Sequence, residues 1–172
     1  MGKHYFQVVG VLMLLIILSS LSCKQEKNNS KTDQDLYDIA SSYNGFTWYK
    51  NDPSFLNKSS GSGHAFPKLR TRYNLTASAV LDSNFKVTPG SVFPQESAIV
   101  KELFNSNGLL ARYAVLYKRS ANKDADANGW VWGYINADGS VEEPAANKGA
   151  ACSGCHSQTD NIDYMLMNKY FP

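Results

Sequence analysis

SAIVKELF (Ser97 to Phe104), NSNG (Asn105 to Gly108) and LLARYAVLYK (Leu109 to Lys118) follow one another without a break. Two apolar runs rich in β-branched and aromatic residues flank a Gly-containing turn, and this pattern predicts a β-hairpin. Just downstream, GWVWGYIN (Gly129 to Asn136) alternates large apolar residues, NADG supplies another turn, and Ser140 to Glu143 reads as the returning strand. At least three or four antiparallel strands are therefore expected in the middle of the chain. Working back towards the N-terminus, Leu69 to Asn74 reads as a strand and Leu75 to Leu81 as a short helix, with Asn74 or Thr76 near its cap. Ser59 to Gly63 (SSGSG) reads as a loop. The segment from Leu36 to Leu56 starts as a short helix and turns at Asn44-Gly45, with Phe46, Trp48 and Tyr49 as packing aromatics. Towards the C-terminus, Ala146 to His156 is expected as a helix or turn, and Asp160 to Lys169 as a closing helix with Ile162, Met165 and Leu166 on one face. No internal repeat is present. The fold class is α+β: an antiparallel β-sheet with flanking helices.

The N-terminus sets the compartment. A short basic start (Lys3, His4) precedes the apolar run VVGVLMLLIIL, Val8 to Leu18, and then Ser19-Ser20-Leu21-Ser22 and Cys23. Basic start, short apolar core and small-residue exit are the parts of a secretory signal. The core is shorter than the roughly 20 apolar residues of a membrane span. A cysteine directly after the exit is similar to a bacterial lipobox, with Leu21 one position later than the usual pattern, and an uncleaved N-terminal anchor is the alternative. Residues 1–22 are thus read as a lipoprotein-type signal, Cys23 as the lipidation site, 23–35 as a flexible polar tether, and 36–172 as one folded domain. The expected location is the periplasmic side or cell envelope, with the membrane reached through lipid. The net charge of +2 and the lack of a long basic run exclude nucleic acid as a partner.

The remaining cysteines, Cys152 and Cys155, lie in ACSGCH. C-x-x-C-H is the attachment sequence for c-type haem. Two thiols add across the haem vinyl groups, and the spacing lets one helical turn present both sulfurs to one porphyrin edge. His156 then projects its imidazole under the iron as proximal ligand. The expected cofactor is covalent haem c with its iron, and the segment becomes a C-terminal haem-attachment helix. Other readings of the pair are a disulfide or redox dithiol, set against the absence of a thioredoxin-like pattern, and a zinc site, which is short of ligands.

Several pieces in order then resemble the cytochrome P-460 family and its relative, the β-sheet cytochrome c-prime. These are FTW (Phe46 to Trp48), His64 followed by RTRYN (Arg70 to Asn74), an Ala-containing helix (Thr76 to Val80), Phe93-Pro94 before a strand ending in VKE (Val100 to Glu102), Tyr117-Lys118, GWVWG (Gly129 to Gly133), and CSGCH with a following Asp163-Tyr164. The run FPQES lacks the Gly that usually follows in the family, so that turn differs. The resemblance implies a haem protein that binds nitric oxide or related nitrogen oxides, or an oxidoreductase acting on hydroxylamine or nitric oxide. In some members a lysine is cross-linked to the haem ring; Lys101 and Lys118 are the candidates, with solvated or ion-paired strand lysines as the plainer reading of each. Relatives are often dimers, so a homodimer is expected, and a redox partner cytochrome is a possible partner.

The sixth iron position decides between these activities. An open position binds a small diatomic ligand; a filled one suits a plain electron-transfer cytochrome. His64, Met165 and Met167 are the candidate sixth ligands. Phe66, Phe93 and Trp130 are candidate walls of a dry pocket. Glu102 is the candidate catalytic carboxylate, with Arg112 as another polar candidate; strand alternation leaves open which of them faces the haem.

Overall fold

A computed structural model describes residues 29–172. The signal, Cys23 and the first part of the tether lie outside these residues. A seven-stranded antiparallel sheet dominates, in the order β1-β3-β4-β5-β6-β7, with β2 pairing on β3. The strands are β1 (Phe46–Trp48), β2 (Leu56–Asn57), β3 (Lys68–Asn74), β4 (Ala98–Phe104), β5 (Leu110–Lys118), β6 (Trp130–Asn136) and β7 (Val141–Glu143). The β4-β5 hairpin turns at Asn105–Gly108, as the NSNG run dictates: the Asn105 side chain accepts the backbone N–H groups of Asn107 and Leu109, and Gly108 takes the positive φ of 77°. The α+β expectation holds.

Period-two alternation gives the sheet two apolar faces. On one face Leu69, Tyr73, Ile99, Leu103, Leu116, Trp130 and Trp132 share a cluster. On the other, Val100, Val115, Val131 and Ile135 pack against Leu36 and Ala40 of helix α1 (Lys31–Ser41). Leu36 is 1% exposed, and such burial contributes about 1.5–3 kcal/mol. The helix approaches closely because Gly133 lies beneath it: a Cβ there would stand 2.7 Å from Leu36 Cδ1.

Helix α1 starts at Lys31, inside the stretch read as tether. Local chemistry explains the correction. Ser30 caps the helix by accepting the Asp33 N–H at 3.1 Å, and Lys31–Asp35 and Gln34–Asp38 pair at i,i+4. The C-terminal carbonyls of α1, from Ala40 and Ser42, accept hydrogen bonds from the buried guanidinium of Arg72 on β3. Helix α2 (Leu75–Ser78) is capped as expected by Asn74, whose side chain accepts the N–H of Ala77 at 2.9 Å and of Ala98 at 3.0 Å.

The closing helix is the larger correction. Only Met167–Tyr170 (α4) is helical. Asp160, Asp163 and Tyr164 have φ of 69°, 45° and 72°, which no right-handed helix accommodates, and Ile162 and Met165 form an isolated bridge. The motif-bearing helix α3 spans Ser153–His156, after a short 3-10 turn at Ala145–Asn147.

Candidate functional site

Two register rows of the sheet floor the site. Thr71, Lys101, Ala114 and Tyr134 are successive cross-strand partners, as are Tyr73, Ile99, Leu116 and Trp132. Against this floor the chain lays α3 and the segment leading into α4. Between them lies a cavity of about 340 Å³, lined by Ile99, Lys101, Leu116, Trp132, Cys152, Cys155, His156, His64, Met165 and Met167 among others.

Gly149 fixes how the motif enters. Its φ is +69°, and a Cβ would lie 2.5 Å from the Trp132 ring, so only glycine lets the chain pass. Its carbonyl accepts the N–H groups of Cys152 and Ser153, both at 2.8 Å. Cys152 is half-buried and Cys155 exposed. Burial, helped by Glu143 and Cys155, pushes the Cys152 thiol above its usual value.

His156 is oriented by a single bond. Its Nδ1 lies 2.7 Å from the Tyr164 carbonyl oxygen. A carbonyl only accepts, so Nδ1 carries the proton and Nε2 keeps the lone pair for a metal. Trp132 packs edge-on against the imidazole at 5.2 Å and against Tyr164 at 5.6 Å, and Trp132 Nε1 donates to Asp126 at 2.9 Å. Burial, then the Lys101 charge, lowers the His156 pKa to about 4, against the opposing bond to Tyr164. The ring is neutral at pH 7, the form that ligates.

The structure brings His64 and Lys101 to this site. Lys101 Nζ lies 3.1 Å from His64 Nε2, and the His64 and His156 rings are 6.4 Å apart at 77°. Burial lowers Lys101 to about 8. Burial, then Lys101, His156 and Lys58, lowers His64 to about 2. A cation next to a buried imidazole disfavours a second proton, so His64 stays neutral.

Other candidates lie elsewhere. Glu102 points to the opposite face, where it accepts Arg70 Nε at 2.6 Å and Arg72 Nε at 3.0 Å and is fully buried. Lys118 is paired with Asp163 at 3.1 Å and lies over Trp130 at 4.6 Å, outside the cavity lining. Arg112 bonds Asn136 and Glu142. Phe93 and Trp130 pack in the core beside the cavity, edge to face at 5.7 Å, and Phe66 is partly buried against the same cluster. Asp163 and Tyr164 entered the sequence reading only as part of the family-like order; their roles were not legible because Tyr164 acts through its carbonyl and both adopt left-handed backbone. Trp132, two residues after Trp130 on β6, had a signal in the alternation of GWVWGYIN, once register is known.

The donor set suits a haem: two thiols in the cavity lining, an imidazole with one free nitrogen, and apolar side chains such as Ile99, Leu116, Trp132 and Met165 around them. When bound, haem supplies an iron centre that exchanges electrons and takes small ligands. A search of curated proteins and a search of solved structures each returned no match. The family model described as Cytochrome P460 matches residues 73–167, which runs from the floor strand β3 through the C-x-x-C-H helix to the start of α4. The chain belongs to the cytochrome P460 family and is a haem-binding cytochrome.

Proposed function

We propose that the protein is an exported, lipid-anchored monohaem c-type cytochrome that binds nitric oxide or a related nitrogen oxide at its iron. Cys152 and Cys155 hold the haem covalently, His156 ligates the iron, and Cys23 carries the lipid on the periplasmic side of the envelope. One observation carries the reading: the His156 Nδ1 to Tyr164 oxygen bond of 2.7 Å at the wall of a mostly apolar cavity. It holds Nε2 free for iron, and apolar walls favour a neutral diatomic ligand over water. Where the iron is held ferric, a redox partner cytochrome would supply the one electron that reduces it. The absorption spectrum of protein made with haem-maturation machinery tests this. A haem band is expected to survive acid-acetone extraction, to vanish in Cys152→Ala/Cys155→Ala, and to shift on adding nitric oxide to the dithionite-reduced protein. A spectrum without covalent haem, or one unmoved by nitric oxide, overturns it.

A second reading, an oxidoreductase of hydroxylamine or nitric oxide, is favoured by Lys101 alone. It lines the cavity, whereas Lys118 does not. In this reading Lys101 is the residue that would carry the lysine–haem cross-link found in some relatives. It is read as a strongly red-shifted ferrous band that Lys101→Arg abolishes. An ordinary band in the wild type sinks this reading and leaves the first standing. A six-coordinate resting spectrum that Lys101→Met leaves alone and His64→Ala abolishes assigns the sixth position to His64 and favours plain electron transfer.

A further inference from the structure

The segment between the C-x-x-C-H helix and α4 has an anchor that neither reading uses. Asp163 is largely buried, with 11% of its side chain exposed. Its carboxylate accepts the Trp130 indole N–H at 3.0 Å, the Phe93 backbone N–H at 2.9 Å, and Lys118 Nζ at 3.1 and 3.2 Å. Lys118 and Trp130 are cross-strand partners on β5 and β6, so the anchor is one row of the rigid sheet. Asp163 and Tyr164 hold consecutive positive φ of 45° and 72°. Non-glycine residues adopt that conformation only at a steric cost, and it persists only where surroundings over-determine it. The strained pair aims the Tyr164 carbonyl at His156 Nδ1, while Asn161 accepts the Tyr164 N–H at 2.9 Å.

We infer that Asp163 is a positioning residue for the proximal histidine, fixing the Tyr164 carbonyl so that its hydrogen bond to His156 Nδ1 sets the electron density the imidazole gives the iron. The inference rests on the haem reading above. A strong bond at Nδ1 makes the ligand more basic, which favours the ferric state and lowers the potential. Releasing the anchor lengthens that bond. The potential then rises, and the Nδ1 proton resonance of His156 moves upfield in the reduced carbon monoxide form, which is diamagnetic.

Charge alone needs separating from positioning. Asp163→Asn removes a negative charge that favours ferric iron, and that loss alone raises the potential. Lys118→Met does the reverse, and Trp130→Phe changes no charge. The experiment is haem content, midpoint potential and the His156 Nδ1 proton resonance for wild type and these three variants. Haem retained, with an upfield shift in all three variants and a raised potential in Trp130→Phe, where no charge changes, supports positioning. A wild-type resonance in every variant, or an unmoved potential in Trp130→Phe, overturns it and leaves Asp163 as a stabilising contact. If Asp163→Asn does not fold, the other two variants decide by the same criteria. A wild type that takes up no haem overturns the haem reading itself, and this inference with it.

Discussion

Lys101 and Glu102 are neighbours on β4 and face opposite ways. Lys101 lines the cavity, while Glu102 sits fully buried between Arg70 and Arg72. Alternation along a strand dictates that two such neighbours part. Which of them meets the haem depends on the pairing Thr71–Lys101–Ala114, and that pairing is written in three distant segments. The candidate proton acceptor is thus a structural carboxylate. Glu102→Gln leaves Arg72, itself 0% exposed, as an uncompensated buried charge, so a loss of about 3–5 kcal/mol is expected. Chemical denaturation reads that loss, and the haem spectrum of the folded variant should match the wild type. A changed spectrum at unchanged stability would return Glu102 to the site. That Cys152, Cys155 and His156 share one site was legible, because their grouping is carried by local spacing, and all three line the same cavity.

Among elements, hairpins β4-β5 and β6-β7 were legible because turn residues and apolar runs sit side by side in sequence. Helix α2 was legible through Asn74, which joins it to β4. Asn74→Ala removes both bonds and the one its amide donates to the Glu96 carbonyl, and a loss of about 1–2 kcal/mol is expected by denaturation; a loss below a few tenths would show the cap to be idle. The closing helix was misread because apolar spacing at Ile162, Met165 and Leu166 imitates a helical face, while the backbone there turns left-handed to serve His156. Gly149 marks where an element cannot bend. Gly149→Ala meets both a positive φ and the Trp132 ring, so about 2–4 kcal/mol of stability should go. Trp132 must also shift against His156. Thermal unfolding and tryptophan fluorescence of the variant check both effects.

For the molecule as a whole, the sheet separates two jobs. One face packs on α1, and the other floors the cavity. The match to the cytochrome P460 family begins at residue 73, so α1 lies before it while the strands it docks on lie within it. That docking is expected to depend on pH. Thr32 donates to Asp124 Oδ2 at 2.6 Å with both residues buried, and this bond, with help from Lys123, holds the Asp124 carboxyl below its ordinary value. A depressed carboxyl stabilises the fold above its unfolded pKa of about 3.9, and the contribution fades as pH falls through the folded value. Thr32→Val should therefore cost about 1.5–3 kcal/mol at pH 7, with the difference from wild type shrinking below pH 4. A gap constant from pH 7 to pH 3 would refute the assignment. Among the described residues no helix is long and apolar enough to cross a membrane.

The order of the strands along the chain has a consequence for how the molecule is assembled. Strands β4 to β7 are consecutive neighbours in both sequence and space, and such local pairings close quickly. The cysteines follow them, at positions 152 and 155. The floor can therefore form before the motif emerges. A chain cut short just ahead of Cys152 would carry a finished sheet with Leu116 and Trp132 facing water. Its fate in the cell would be aggregation rather than a soluble half-protein.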